Sequence, residues 1–136
     1  MAMVAEATPF REPSMTHLPW IKELLAIKAR IEPLAGIVFN TVLLNYYRDG
    51  NDSVAWHSDD EYELGLKPVI ASVSFGQERR FEVREKQNHK NKYSLNLQNG
   101  SLLLMKGDLQ KLWEHQVPKS KLPMKARLNL TFRVIR

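Results

Sequence analysis

The feature that most constrains this chain is a change of hydrophobic period at Gly36. Before it, WIKELLAIKARIE (residues 20–32) places Ile21, Leu24, Leu25, the stem of Lys28 and Ile31 at helical spacing, and Pro33 with Gly36 predicts the helix end. After it the helical period does not return. IVFNTVLLNYY, PVIASVSFG, RRFEVRE, KYSLNLQ, GSLLLMKG, WEHQVP and ARLNLTFRVI are short, β-branched or aromatic and often alternating, and Gly, Asn and Asp separate many of them. One N-terminal helix followed by about eight strands predicts a mainly β fold: a sandwich, a jelly roll or a small barrel. The 136 residues suit one domain and contain no internal repeat. Residues 1–19 carry Pro9, Pro13 and Pro19 without periodicity, so they read as an irregular arm ahead of a domain spanning residues 20–136.

The chain has no cysteine. That excludes disulfide frameworks, thiolate zinc sites, iron–sulfur clusters and thiol nucleophiles, so any metal must be held by His, Asp and Glu. No run reaches the ~18 apolar residues of a membrane span, and the first residues lack the pattern of a secretory signal. The expectation is an intracellular protein, cytoplasmic in a bacterium, with no membrane partner. Charge is uneven: residues 1–63 carry a net of −5 and residues 64–136 a net of +10. A basic half suits a polyanionic partner as well as simple solubility. Six acids and no Lys or Arg fall between Asp49 and Glu63, a stretch suited to a cation or to a solvated loop.

Three features carry chemistry. In Ser53–Asp59, a strand-like segment, His57 and Asp59 stand two apart and share a face. With His115, in the later strand-like WEHQV, they make two imidazoles and one carboxylate, the facial set of non-haem Fe(II) oxygenases. A histidine packed in a β core is the competing reading. In RLNLTFR, Arg127, Asn129 and Arg133 alternate with Leu128, Leu130 and Phe132. The Arg127 and Arg133 α-carbons are roughly 20 Å apart on an extended strand, and inward-reaching side chains would leave a gap for a short dicarboxylate. A solvated edge strand is the alternative. Asn45 and Tyr47 share a face at the end of an apolar run and could hydrogen-bond the same anion, although Tyr47 also reads as a core aromatic.

Together, Asn45-x-Tyr47, His57-x-Asp59, His115 and Arg127-x-Asn129-x-x-x-Arg133 resemble the AlkB family of Fe(II)/2-oxoglutarate dioxygenases. The strings WHSDDE, IASVSFG and RLNLTFR carry the likeness most closely, which runs from about Pro19 to the C-terminus. The resemblance implies a double-stranded β-helix (jelly-roll) core with a short or truncated N-terminal lid region. It implies Fe(II) on His57, Asp59 and His115. It also implies Arg127, Asn129 and Tyr47 on the 5-carboxylate of the cosubstrate 2-oxoglutarate, and Arg133 and Asn45 at its 1-carboxylate. Asp60 and Glu61 fall where the family places an acid against a flipped base, and Phe10 is the nearest match to its base-stacking aromatic.

The activity implied is oxidative demethylation of 1-methyladenine- and 3-methylcytosine-type bases in DNA, with RNA open as a second polymer. O2 and 2-oxoglutarate would become succinate and CO2, with formaldehyde released. Such an enzyme, a monomer, would take single-stranded substrate or a base flipped from a duplex. Arg79, Arg80 and Arg84, with Lys86, Lys90 and Lys92 after them, could follow a phosphate backbone. Trp113 reads as core or as pocket lining. Two alternatives stand: a 2-oxoglutarate oxygenase acting on a protein or small molecule, and a truncated, inactive nucleic-acid-binding module.

Overall fold

The computed structural model describes residues 2–6 and 17–136. One helix, α1 (Lys22–Ala35), precedes eight strands: β3 (Thr41–Tyr47), β4 (Val54–His57), β5 (Ile70–Gly76), β6 (Arg79–Glu85), β7 (Lys92–Leu97), β8 (Ser101–Met105), β9 (Trp113–Val117) and β10 (Arg127–Arg133). They divide into two antiparallel sheets. The major sheet runs β3-β10-β5-β8 and the minor sheet β4-β9-β6-β7. Successive strands mostly cross between the sheets, which is the double-stranded β-helix, the jelly roll among the three expected architectures.

The alternation along each strand decides what lies on either face. Outward from the major sheet, Val42, Ala71, Val73, Leu130 and Phe132 meet Leu24, Ile31 and Ala35 of α1, with Phe39 beside them. Trp20 stacks on Phe132 at 6.0 Å between centroids. Inward, Tyr47, Ile70, Phe81, Leu97, Met105 and Val117 form a second apolar cluster between the sheets. The inner face of β10 is polar instead, carrying Arg127 and Asn129, both buried.

Three local expectations need correction. The helix does not stop at Pro33, which lies inside it. Pro33 costs its own N–H donor and crowds the carbonyl four residues back, yet the turn continues to bury Ala35 until Gly36, at φ 73°, donates its N–H to the Glu32 carbonyl at 2.8 Å. The arm is not wholly irregular either. Ala2–Glu6 forms β1, antiparallel to β3 with Ala2 opposite Asn45 and Glu6 opposite Thr41, and His17–Pro19 forms β2, parallel to β1. The free edge of β3 offers unpaired backbone donors and acceptors, so this pairing needs no side-chain alternation. Finally, Ser53–Asp59 is a strand only over Val54–His57.

Gly76 ends β5 opposite Arg127 at φ 89°, and a Cβ there would stand 2.5 Å from the Ala126 carbonyl oxygen. No side chain fits that approach, which brings the start of β10 hard against β5.

Candidate active site

Strands β4 and β9 place the two histidines opposite each other through a bulge. Val54 pairs with Val117 and His57 with His115, so three steps on β4 answer two on β9. The extra residue re-aims the strand. Val54 and His57 both line the interior, whereas Trp56 turns outward under the Arg84 guanidinium, 3.9 Å from its ring centroid.

His57 Nδ1–H donates to the Ala55 carbonyl at 2.8 Å, which fixes the tautomer and leaves the Nε2 lone pair free. His57 Nε2 lies 3.9 Å from Asp59 Oδ1, and His115 Nε2 lies 3.9 Å from Asp59 Oδ2. The imidazole rings meet edge to face at 4.3 Å, and the ligand atoms of the three residues lie within 4.8 Å of one another. His115 is buried against Phe81. Burial first, and then the neighbouring His57, pull its pKa down to about 4, so it is a neutral base near pH 7. A metal ligand must be in that state.

Asp59 lies beyond the strand, so its place is set by tertiary contacts. Its N–H donates to Oε1 of the buried Gln110 at 2.9 Å, and Ser58 Oγ donates to the Trp113 carbonyl at 2.7 Å. Gln110 stands on the short helical turn α2 (Leu109–Leu112), with its Nε2 3.5 Å from Met105 Sδ. Sequence alone gave no signal for Gln110, because its role exists only where α2 meets the loop after β4.

Across the interior, β10 presents its polar face. Arg127 pairs with Tyr47 and Asn129 with Asn45 on β3. The Arg127 guanidinium lies 4.8 Å from the Tyr47 ring centroid and donates one bond to Ser74 Oγ at 3.0 Å. Its Nε and Nη1, and Nε of Arg133, are buried with no acceptor among the described residues. Burial pulls the Arg127 pKa below the ordinary arginine value, against the opposing pull of Tyr47, yet a guanidinium keeps its proton. A buried cation with two idle donors is expensive unless an anion joins it. Asn129 Nδ2 donates to Ser72 Oγ at 2.7 Å, and Thr131 Oγ1 donates to Asn129 Oδ1 at 2.8 Å. Ser72 and Ser74, alternate polar positions in IASVSFG, stand beneath Asn129 and Arg127, a role the alternation alone does not mark.

One cavity of about 320 Å³ joins the two groups. His57, Asp59 and His115 line it together with Asn45, Tyr47, Arg127, Asn129 and Arg133, and Phe81, Leu97 and Met105 supply apolar wall. Two imidazole nitrogens and a carboxylate suit iron(II), and the idle guanidinium donors suit a carboxylate partner. On both counts the residues present fit an iron(II)/2-oxoglutarate pair.

The remaining expected contacts divide. Glu61 lines the cavity, while the Asp60 side chain turns outward, 3.9 Å from Lys86 Nζ. Phe10 lies outside the described residues. Arg79 cannot follow a phosphate backbone: it is 2% exposed, donates to the carbonyls of Asp49, Asp52 and Pro118, and lies 5.5 Å from the Tyr47 ring centroid. The inward register of β6, invisible in a run of charges, puts it there. Arg80 is exposed beside Glu82 at 3.1 Å, and Arg84 is held by Glu114 at 2.7 Å and by Trp56. Within the acidic stretch, Asp52 makes a two-pronged pair with Arg48, which holds its carboxyl far below the usual range, and only Asp59 joins the histidines. Trp113 is half-buried against Tyr93 rather than in either core.

A family model described as the 2OG-Fe(II) oxygenase superfamily matches residues 6–133. Among curated proteins, the chain is similar to alpha-ketoglutarate-dependent dioxygenase alkB homolog 3 of Rattus norvegicus, at 45% identity over 85% of this chain and 42% of the relative. Its counterpart in Homo sapiens is 44% identical over 85% of this chain and 43% of the relative. The DNA oxidative demethylase ALKBH2 of Homo sapiens is 41% identical over 90% of this chain and 49% of the relative. The chain thus spans slightly under half the length of these relatives. The solved structure of OsALKBH1 superposes with a TM-score of 0.60 at 24% identity, over 85% of this chain and 66% of that one, a likeness of fold.

Proposed function

The chain belongs to the 2OG-Fe(II) oxygenase superfamily and, within it, to the AlkB family; from that premise we propose that it demethylates N-alkylated nucleobases of the 1-methyladenine and 3-methylcytosine type. The observation that carries this reading is the single cavity in which a His/Asp/His cluster faces a buried arginine with idle donors.

In this reading His57, Asp59 and His115 hold iron(II). Arg127, Asn129 and Tyr47 hold the 5-carboxylate of 2-oxoglutarate, and Arg133 and Asn45 attend the other end. Bound together with O2, these partners supply oxidising power: 2-oxoglutarate becomes succinate and CO2, and an N-methyl group becomes an N-hydroxymethyl group that releases formaldehyde and the free base. The protein's own work is placement. The Ala55 carbonyl holds the His57 tautomer, burial keeps His115 neutral, and the apolar wall of Phe81, Leu97 and Met105 limits water. Glu61 accepts a hydrogen bond from the exocyclic amine of the base. It is favoured over Asp60 because it lines the cavity while Asp60 turns towards Lys86. A base must leave its stack to enter such a cavity, so the substrate is single-stranded or flipped.

The test is release of formaldehyde and succinate from oligonucleotides bearing 1-methyladenine or 3-methylcytosine, with His57→Ala as control. Stoichiometric release by the wild type alone supports the reading. Turnover of 2-oxoglutarate that ignores every oligonucleotide transfers the site to a protein or small-molecule substrate, and failure to bind iron removes both.

Gln110→Leu tests the support beneath Asp59. Removing the acceptor of the Asp59 N–H loosens the carboxylate, and iron(II) affinity should fall by about 10- to 100-fold, measured by anaerobic titration.

A further inference from the structure

The inner face of the minor sheet stays open beside the His/Asp/His cluster. Along β7 its inward-facing residues become steadily more exposed: Leu97 3%, Leu95 39% and Tyr93 63%. The register fixes their levels. Val83 pairs with both Tyr93 and His115, so Tyr93 stands level with His115 two strands away. Glu85 pairs with Trp113, which puts the indole on the same face as His115, two residues along β9. The phenol and indole lean together across β6, 6.0 Å between centroids and 45° between planes.

Core packing does not explain this pair. Tyr93 keeps most of its surface in water, and neither ring belongs to the apolar clusters on the two sides of the major sheet. What they form is an aromatic ledge running out from a wall of the cavity. Beside it, the turn joining β6 to β7 (residues 86–91) holds Lys86, His89 and Lys90 and no acid of its own, with Asp60 3.9 Å from Lys86 and Glu114 3.6 Å from His89. A partner that is flat and apolar in one part and anionic in another, and continuous with whatever enters the cavity, fits both features.

We infer that Tyr93 and Trp113 form a stacking ledge for the base next to the one held in the cavity, so that the substrate is engaged as a single strand of at least two nucleotides. The inference rests on the nucleobase reading above and extends it from a base to a strand. Stacking accepts any base, because each has a π face, so the ledge adds affinity without sequence preference.

The test compares a methylated trinucleotide with the corresponding methylated mononucleotide in wild type, Tyr93→Ala and Tyr93→Phe. Wild type should prefer the trinucleotide in kcat/KM. In Tyr93→Ala that preference should fall by about 5- to 100-fold, the worth of one stacked base, and Tyr93→Phe should retain it. Turnover of both substrates with an unchanged preference in Tyr93→Ala overturns the ledge alone. Loss in Tyr93→Phe as large as in Tyr93→Ala also overturns it, by assigning the effect to the hydroxyl. A drop in oligomeric mass on Tyr93→Ala with the preference intact gives the surface to a second copy of the chain. Absence of turnover on any methylated nucleotide by wild type defeats the nucleobase reading, and the ledge with it.

Discussion

Arg127→Met should weaken 2-oxoglutarate binding by roughly 100- to 1,000-fold or more and leave the ligand-free protein at least as stable as the wild type. The two effects share one cause. In the free protein the guanidinium is 2% exposed, donates one bond to Ser74 Oγ and leaves Nε and Nη1 without acceptors among the described residues. Such a group costs stability, and an apolar side chain of similar length relieves that cost by about 1–3 kcal/mol. In the proposed site, the cosubstrate carboxylate is what offsets that cost. Two charge-assisted hydrogen bonds are worth about 3–5 kcal/mol together, so affinity should fall by roughly 100- to 1,000-fold or more. Calorimetric titration with 2-oxoglutarate, in the presence of a redox-inert divalent ion, reads the loss, and denaturant unfolding reads the gain. Wild-type affinity in the variant would remove Arg127 from the cosubstrate site.

The second large effect is expected at Asp59. Asp59→Ala takes the only carboxylate from a cluster whose other donors are two imidazoles, and iron(II) affinity should drop by more than about 100-fold, with turnover lost. The fold should survive, since the Asp59 bond to Gln110 uses the backbone N–H, which alanine keeps. Circular dichroism and thermal unfolding without metal would therefore match wild type while anaerobic iron titration shows the deficit. A variant that retains tight iron binding would mean that the cluster is not the metal site.

How much of this was legible in the sequence depends on whether a residue's place follows from its own strand. Arg127, Asn129 and Arg133 share one face of one strand, and two-residue alternation alone brings them to the same wall. His57 and His115 needed more: they lie 58 positions apart, and it was their pattern together with the arginine strand that singled them out. His57 and Asp59 stand close together, yet not by pleat alone, because β4 ends at His57 and Asp59 is placed by Gln110. Arg79 departs from its sequence expectation for a related reason. Charge suggested surface, whereas its register points it inward to three backbone carbonyls, which no composition argument can anticipate. The helix and the strand segments were legible because period survives in sequence. Pro33 inside α1 and the β1 and β2 pairings were not, since a helix can lose one donor and an edge can be covered by backbone alone.

The irregularity in β4 makes the site depend on counting as much as on chemistry. Val54 and His57 both face inward only because one residue too many lies between them for a regular ladder. Deleting Ala55 would let β4 and β9 pair without a defect, and the sheet would gain regularity. The same deletion would keep Val54 and His57 on one face, two steps apart as Val117 and His115 are, but it would remove the carbonyl that holds the His57 tautomer. The bulge thus costs the sheet regularity and supplies a carbonyl to His57: a change that the rules of sheet stability favour would disturb the imidazole's orientation without altering the imidazole itself.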